Sequence, residues 1–192
     1  MPFNRFEPPI APPYQHFRDD KNNVRGVVDL SGEGPKWIGG MMNLKDAKGA
    51  EHLVATYAKI RSHVTEYERG LCEWDQASGK FKEVKVIWKD SDGKKPPMPD
   101  GHPVLWKENE SSSWVLWGDP FPNLKSRPTY EAWLDPAAWE PVAKPADPVS
   151  AEDGSTVQPH RGSIVWNDYR KRWVTIYTQN HGKPSAIGAL WY

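Results

Sequence analysis

The chain has 192 residues, with 25 basic and 25 acidic side chains. That length admits one or two domains with a real core, and the balanced charge excludes the broad basic field by which a protein holds nucleic acid. No apolar run reaches the eighteen residues of a membrane span, and Met1-Pro2-Phe3-Asn4-Arg5 lacks the apolar segment of a signal peptide.

Eleven tryptophans, 19 prolines and 15 glycines argue against a helical bundle and for half-buried pleated surfaces. The single cysteine, Cys72, cannot form an internal disulfide or a cysteine metal cluster and reads as a buried, inert thiol. Residues 1–34, with Pro8-Pro9-Ile10-Ala11-Pro12-Pro13, read as an extended arm or a strap packed over the sheets.

A first block, 35–90, is predicted to hold strands at 36–42, 52–60, 67–75 and 81–88. The turn 75–80 has Gly79 where a positive φ is expected. The polar loop 89–99 separates it from a second block, 100–142, with strands at 103–106, 113–118 and 129–134 and a short edge at 139–142. At most one helical turn is expected, within 134–140. After a connector at 145–158, a third block, 160–192, carries strands at 163–166, 173–178 and 186–192.

The blocks repeat. His52-Leu53-Val54-Ala55-Thr56-Tyr57, Ser113-Trp114-Val115-Leu116-Trp117-Gly118 and Arg172-Trp173-Val174-Thr175-Ile176-Tyr177 align on Leu53, Trp114 and Trp173, 61 and 59 residues apart. Each follows a polar turn and precedes a strand ending at Trp74, Trp133 or Trp191. A long period with several short strands per unit indicates an all-β, propeller-like chain of about three blades.

In a blade, the start of the first strand and the loop joining the second and third lie on one face. That rule gathers Glu66, Glu68, Asp100 and Asp119 as candidate acids. It adds His63, Arg69, His102, Arg127, Arg161 and His181 as candidate ligand-binding groups. Paired carboxylates can cleave a glycosidic bond. The same residues can equally be loop charges paired with arginines such as Arg61. His63, His102, His160 and His181 could hold a divalent metal, though no tight histidine spacing supports one and no cofactor is otherwise expected. Tryptophans inside strands are expected to pack between blades, with Trp37 and Trp106 able to reach the axial channel. Gly39-Gly40 lacks the lysine and hydroxyl of a phosphate loop.

Tyr67-Glu68-Arg69-Gly70-Leu71, Gly101-His102-Pro103 and the segment Arg161 to Trp173 resemble a group of bacterial five-bladed β-propeller proteins. That group is in turn distantly similar to the arabinanase and levansucrase-like glycosidases. The resemblance implies five blades, a funnel-shaped site and an extracytoplasmic location, so that this chain would be an incomplete propeller. No glycosidase motif matches residue by residue. The expected function is a carbohydrate-active, glycoside hydrolase-like domain; the alternative is a non-catalytic ligand- or protein-binding module. An open arc of blades would self-associate through its exposed edge.

Overall fold

A computed structural model describes residues 15–180 and 189–192. The chain is all-β, in three antiparallel meanders. β1 (Val28–Asp29), β2 (Lys36–Lys45), β3 (Glu51–Arg61), β4 (Thr65–Asp75) and β5 (Lys80–Lys89) form a five-stranded sheet in the order β1-β5-β4-β3-β2. β6 (Val104–Lys107), β7 (Ser113–Gly118), β8 (Pro122–Ser126) and β9 (Glu140–Pro141) form the second sheet. β10 (Pro159–Asn167), β11 (Arg172–Gln179) and β12 (Leu190–Trp191) form the third. Leu53, Trp114 and Trp173 each lie on the second strand of the main meander in their sheet.

The first block folds as its alternation dictates. Val54, Thr56, Leu71 and Arg69 share one face of the sheet, and Ala55, Tyr57, Cys72 and Glu68 share the other. The second face is concave, and the sheet curls into a half-barrel. β1 adds in parallel to β5, and the segment after it crosses the mouth, so Leu30 closes a core of Ala55, Tyr57, Cys72 and Phe81. Ahead of β1, Phe17 meets Trp74 and Arg25 donates to the Gly79 carbonyl. The first face packs on the second sheet. Leu44, Val54 and Leu71 from one side meet Val115, Trp117 and Leu124 from the other, all at most 3% exposed.

The second block departs from the expected strand at 129–134. That stretch is the helix α1 (Tyr130–Leu134), with Thr129 capping Ala132 through its side chain. The third strand lies earlier, at β8. Pro120 and Pro122 make the stretch read as a loop, but a proline at the first strand position costs no ladder bond. Trp133 therefore sits on a helix, where it is fully buried in the core between the first two sheets. It is not equivalent to Trp74.

The second and third sheets meet less closely. Trp106 packs edge-on against Trp173 at 6.3 Å, and Phe121 against Tyr177 at 6.1 Å. Two apolar clefts of about 590 and 630 Å³ remain beside these contacts. The far face of the third sheet, carrying Val165, Ile176 and Leu190, is bare: these side chains are 58%, 47% and 69% exposed. Among the described residues no helix is long and apolar enough to cross a membrane.

Two measurements check this packing. Leu71→Ala, at a fully buried site facing the second sheet, is expected to cost about 2–5 kcal/mol in urea unfolding. The same change at Leu105, 59% exposed, should stay within about 0.5 kcal/mol. Burial, with Glu83 adding to it, pushes the Cys72 thiol up to about 12. The native protein should therefore resist a thiol reagent at pH 8 and react fully once unfolded.

Candidate functional site

The inner ends of the three sheets converge on a polar cavity of about 190 Å³. Glycines let them approach. β2 bulges between Gly39 and Met42, with Gly40 at φ +55°. A Cβ on Gly39 would lie 2.8 Å from Asp100 Oδ1. The Gly40 N–H donates to the Gly101 carbonyl at 2.9 Å, and the His102 N–H to the Gly118 carbonyl at 3.0 Å. At Gly101, φ is +74° and a Cβ would overlap the Gly118 carbonyl oxygen. The Gly162 N–H of the third sheet donates to Asp119 Oδ1 at 2.8 Å.

Six of the residues anticipated from the sequence line this cavity: Glu66, Arg69, Asp100, His102, Asp119 and Arg161. Glu66 and Arg69 are three apart and would face opposite ways in a regular strand. A bulge in β4 opposite Lys59 and Ile60 makes Tyr67 an extra residue and turns both to the same side. Arg69 is 91% buried, being 9% exposed, and its guanidinium pairs with Asp100. Asp100 also accepts from its neighbour Gly101 N–H at 2.8 Å and from the Thr56 hydroxyl at 3.3 Å. Asp119 pairs with Arg161 at 3.4 Å, and Glu66 with Lys95 at 2.6 Å. The exposed ring of His102 and the half-exposed Trp37 complete the rim.

Glu68 is not in the cavity. One residue from Arg69, it points to the opposite face of β4, into the half-barrel. There Lys59 Nζ sits 2.6 Å from its Oε1, the Tyr57 hydroxyl 3.0 Å away, and Lys89 3.6 Å from its other oxygen. Burial alone would raise the carboxyl of Glu68, but the hydrogen bonds from Lys59 and Tyr57 and the charges of Lys59 and Lys89 outweigh it and hold it below the usual value. Burial likewise opposes the charge on Lys59, and Glu68 more than restores it, so that its ammonium is held above the usual value. Glu68 is thus paired with Lys59 and Lys89 inside the half-barrel and does not line the cavity.

His63 stands exposed on the 3₁₀ turn Ser62–Val64, away from the cavity lining. Arg127 follows β8, not a loop between the second and third strands. It stacks on Trp114 at 3.8 Å and donates to Ser112 Oγ at 3.1 Å, so it serves the second sheet. His181 lies outside the described residues. His160 approaches Thr178 at 3.5 Å and does not join His63 or His102. Among the described residues no group of three or more histidine, cysteine, aspartate or glutamate side chains is placed to hold a metal ion. Trp106 meets Trp173 in the cleft between the second and third sheets and does not reach the polar cavity. Thr56 belongs to the site without having been anticipated from the sequence, whereas Trp37, expected to reach the axial channel, lies on the cavity rim. The alternation of β3 could have found Thr56, since it shares the Arg69 face.

The arrangement offers fixed carboxylate acceptors and guanidinium donors, and each charge is already compensated by a neighbour. No protein-family model, curated protein or solved structure matches the chain.

The pair Lys59–Glu68 can be tested by breaking it. Lys59→Met leaves a carboxylate 93% buried, since Glu68 is only 7% exposed, without its main partner. The loss at pH 7 should be about 3–5 kcal/mol. Glu68 is held low in the folded state, so its contribution is full above its unfolded pKa of about 4.3 and disappears as pH falls through the lower native value. The penalty of Lys59→Met should shrink over that same acid range. Urea denaturation from pH 7 to pH 3 measures it.

Proposed function

We propose that this chain is a carbohydrate-binding module: three propeller-like blades whose shared inner cavity takes one polyhydroxylated ring. The reading rests on one observation: Arg69, Asp100, Asp119 and Arg161 come from all three sheets, or from their junctions, and line the same small cavity. Carboxylates and guanidinium groups in fixed pairs suit vicinal hydroxyls, which donate to the one and accept from the other. Trp37, 46% exposed on the rim, offers a flat apolar surface for the ring.

Hydrolysis is the second reading, favoured by the presence of Asp100 and Asp119 on one cavity. It requires one carboxyl able to hold and deliver a proton. Against it, Glu66, Asp100 and Asp119 each face a cation, and Glu68 lies on the other face of the sheet. Binding without turnover is therefore the better account. On the same propeller reading, self-association would use the bare face of the third sheet.

A glycan array followed by calorimetric titration of the best ligand tests the proposal, with chromogenic glycosides run in parallel. Saturable binding is expected, weakened about tenfold or more by Asp100→Asn and by Arg161→Gln, each of which removes one charged hydrogen-bonding partner. Hydrolysis abolished by Asp119→Asn would replace binding with catalysis as the function. Silence in every assay would end the carbohydrate reading.

A further inference from the structure

A second cluster of titratable groups lies toward the other end of β3, where α1 touches the first sheet. His52 is at its centre. Its Nδ1 is 2.6 Å from Glu73 Oε1 on β4, and its Nε2 is 3.7 Å from Asp46 Oδ2 in the turn after β2. Tyr130, the first residue of α1, donates its hydroxyl to the second oxygen of Glu73 at 2.6 Å. Its ring also stacks on the imidazole, with centroids 3.8 Å apart and planes inclined by 14°. The next residue, Glu131, accepts from the Ala47 N–H at 2.8 Å. Glu51, beside His52 in β3, is engaged by Lys45 and Asn43. The groups around the imidazole are thus Asp46 and Glu73 from the first sheet and Tyr130 and Glu131 from α1.

We propose that His52 is a pH-controlled latch that fastens α1 to the first sheet, closed while the imidazole carries both protons and loosened when it loses one. The geometry distinguishes the two states. A doubly protonated ring presents an N–H to Glu73 and another toward Asp46, and its charge lies against the face of the Tyr130 ring. A neutral ring that keeps its Nδ1 proton for Glu73 turns the Nε2 lone pair toward the Asp46 carboxylate. That nitrogen is buried and has no hydrogen-bond partner, so nothing compensates the repulsion. Glu73 is shared by His52 and Tyr130, so the change passes directly to the helix. α1 in turn carries Trp133, the fully buried plug between the first two sheets.

The direction of titration agrees. The hydrogen bond to Glu73, opposed by burial and aided by Asp46, holds the imidazole above its ordinary value. A group raised in the folded state contributes fully below its unfolded pKa, about 6.5, and loses that contribution as pH rises through the folded value. The latch does not depend on the nature of the ligand in the polar cavity.

Two NMR measurements on the full chain test it. The imidazole signals of His52 should titrate above about 6.5. Across that titration the amides of Trp133 and Asp135, corrected for intrinsic exchange, should lose protection by about tenfold for each unit of elevation, while Tyr57 in β3 does not. In His52→Gln the helix should be less protected at pH 6 and show no step. Tyr130→Phe keeps the stacked ring but not the hydroxyl, so His52 should stay elevated while the step in the helix shrinks. An imidazole titrating at or below its free value, or helix protection that tracks Tyr57 throughout, overturns the proposal.

Discussion

Backbone contact at four glycines governs how the three sheets meet. Gly40 donates to Gly101, Gly101 lies beside Gly118, and Gly162 donates to the carboxylate of Asp119. A side chain on β2 here would hold the first sheet off the second, because a Cβ on Gly39 would lie 2.8 Å from Asp100 Oδ1 and one on Gly40 3.3 Å from Asp100 Cα, while a Cβ on Gly101 would overlap the Gly118 carbonyl oxygen. The hydrogen bonds are ordinary in strength. Their consequence is positional: they bring Asp100 and Asp119, the residues flanking the second sheet, to the same opening as Arg69 of the first sheet and Arg161 of the third. The cavity is a by-product of how closely the sheets can be stitched.

That stitching also explains why the cavity is polar and compensated. Strand ends leave peptide groups without ladder partners, and carboxylates accept from them: Asp100 from Gly101, Asp119 from Gly162. Each carboxylate then needs a cation, and Arg69 and Arg161 supply it. The same demand is met inside the half-barrel by Lys59, Tyr57 and Glu68. Two charged clusters, one on each face of β4, are thus separated by a single peptide step. Among the described residues, the Arg69 cluster lines the polar cavity and the Glu68 cluster does not.

The interfaces between sheets are unequal. Between the first and second, Trp117 and Trp133 are fully buried in an apolar core, with α1 as a wedge pinned by Glu73 and Glu131. Between the second and third, aromatic edges touch around two open clefts. Among the described residues this second interface buries fewer apolar side chains, which lowers the cost of local opening there.

Much of this was legible in the residues. The period linking Leu53, Trp114 and Trp173 identified three second strands, because aligned turns and apolar runs report local pleating without reference to partners. The blade rule gathered Glu66, Arg69, Asp100, His102, Asp119 and Arg161, which line one cavity, together with Glu68, His63 and Arg127, which do not. What sequence could not supply was the outcome of competition between local signals. Residues 129–134 alternate well enough for a strand, yet Thr129 caps a helix that the core needs for Trp133. Glu68 and Arg69 are neighbours in the chain and belong to opposite faces, whereas Glu66 and Arg69 share one only because of the bulge at Tyr67. The chain's own pattern determined that it pleats into three meanders with charged inner ends. Packing decided which charges meet, because a bulge or a cap shifts a side chain by a whole face and no local propensity records that choice.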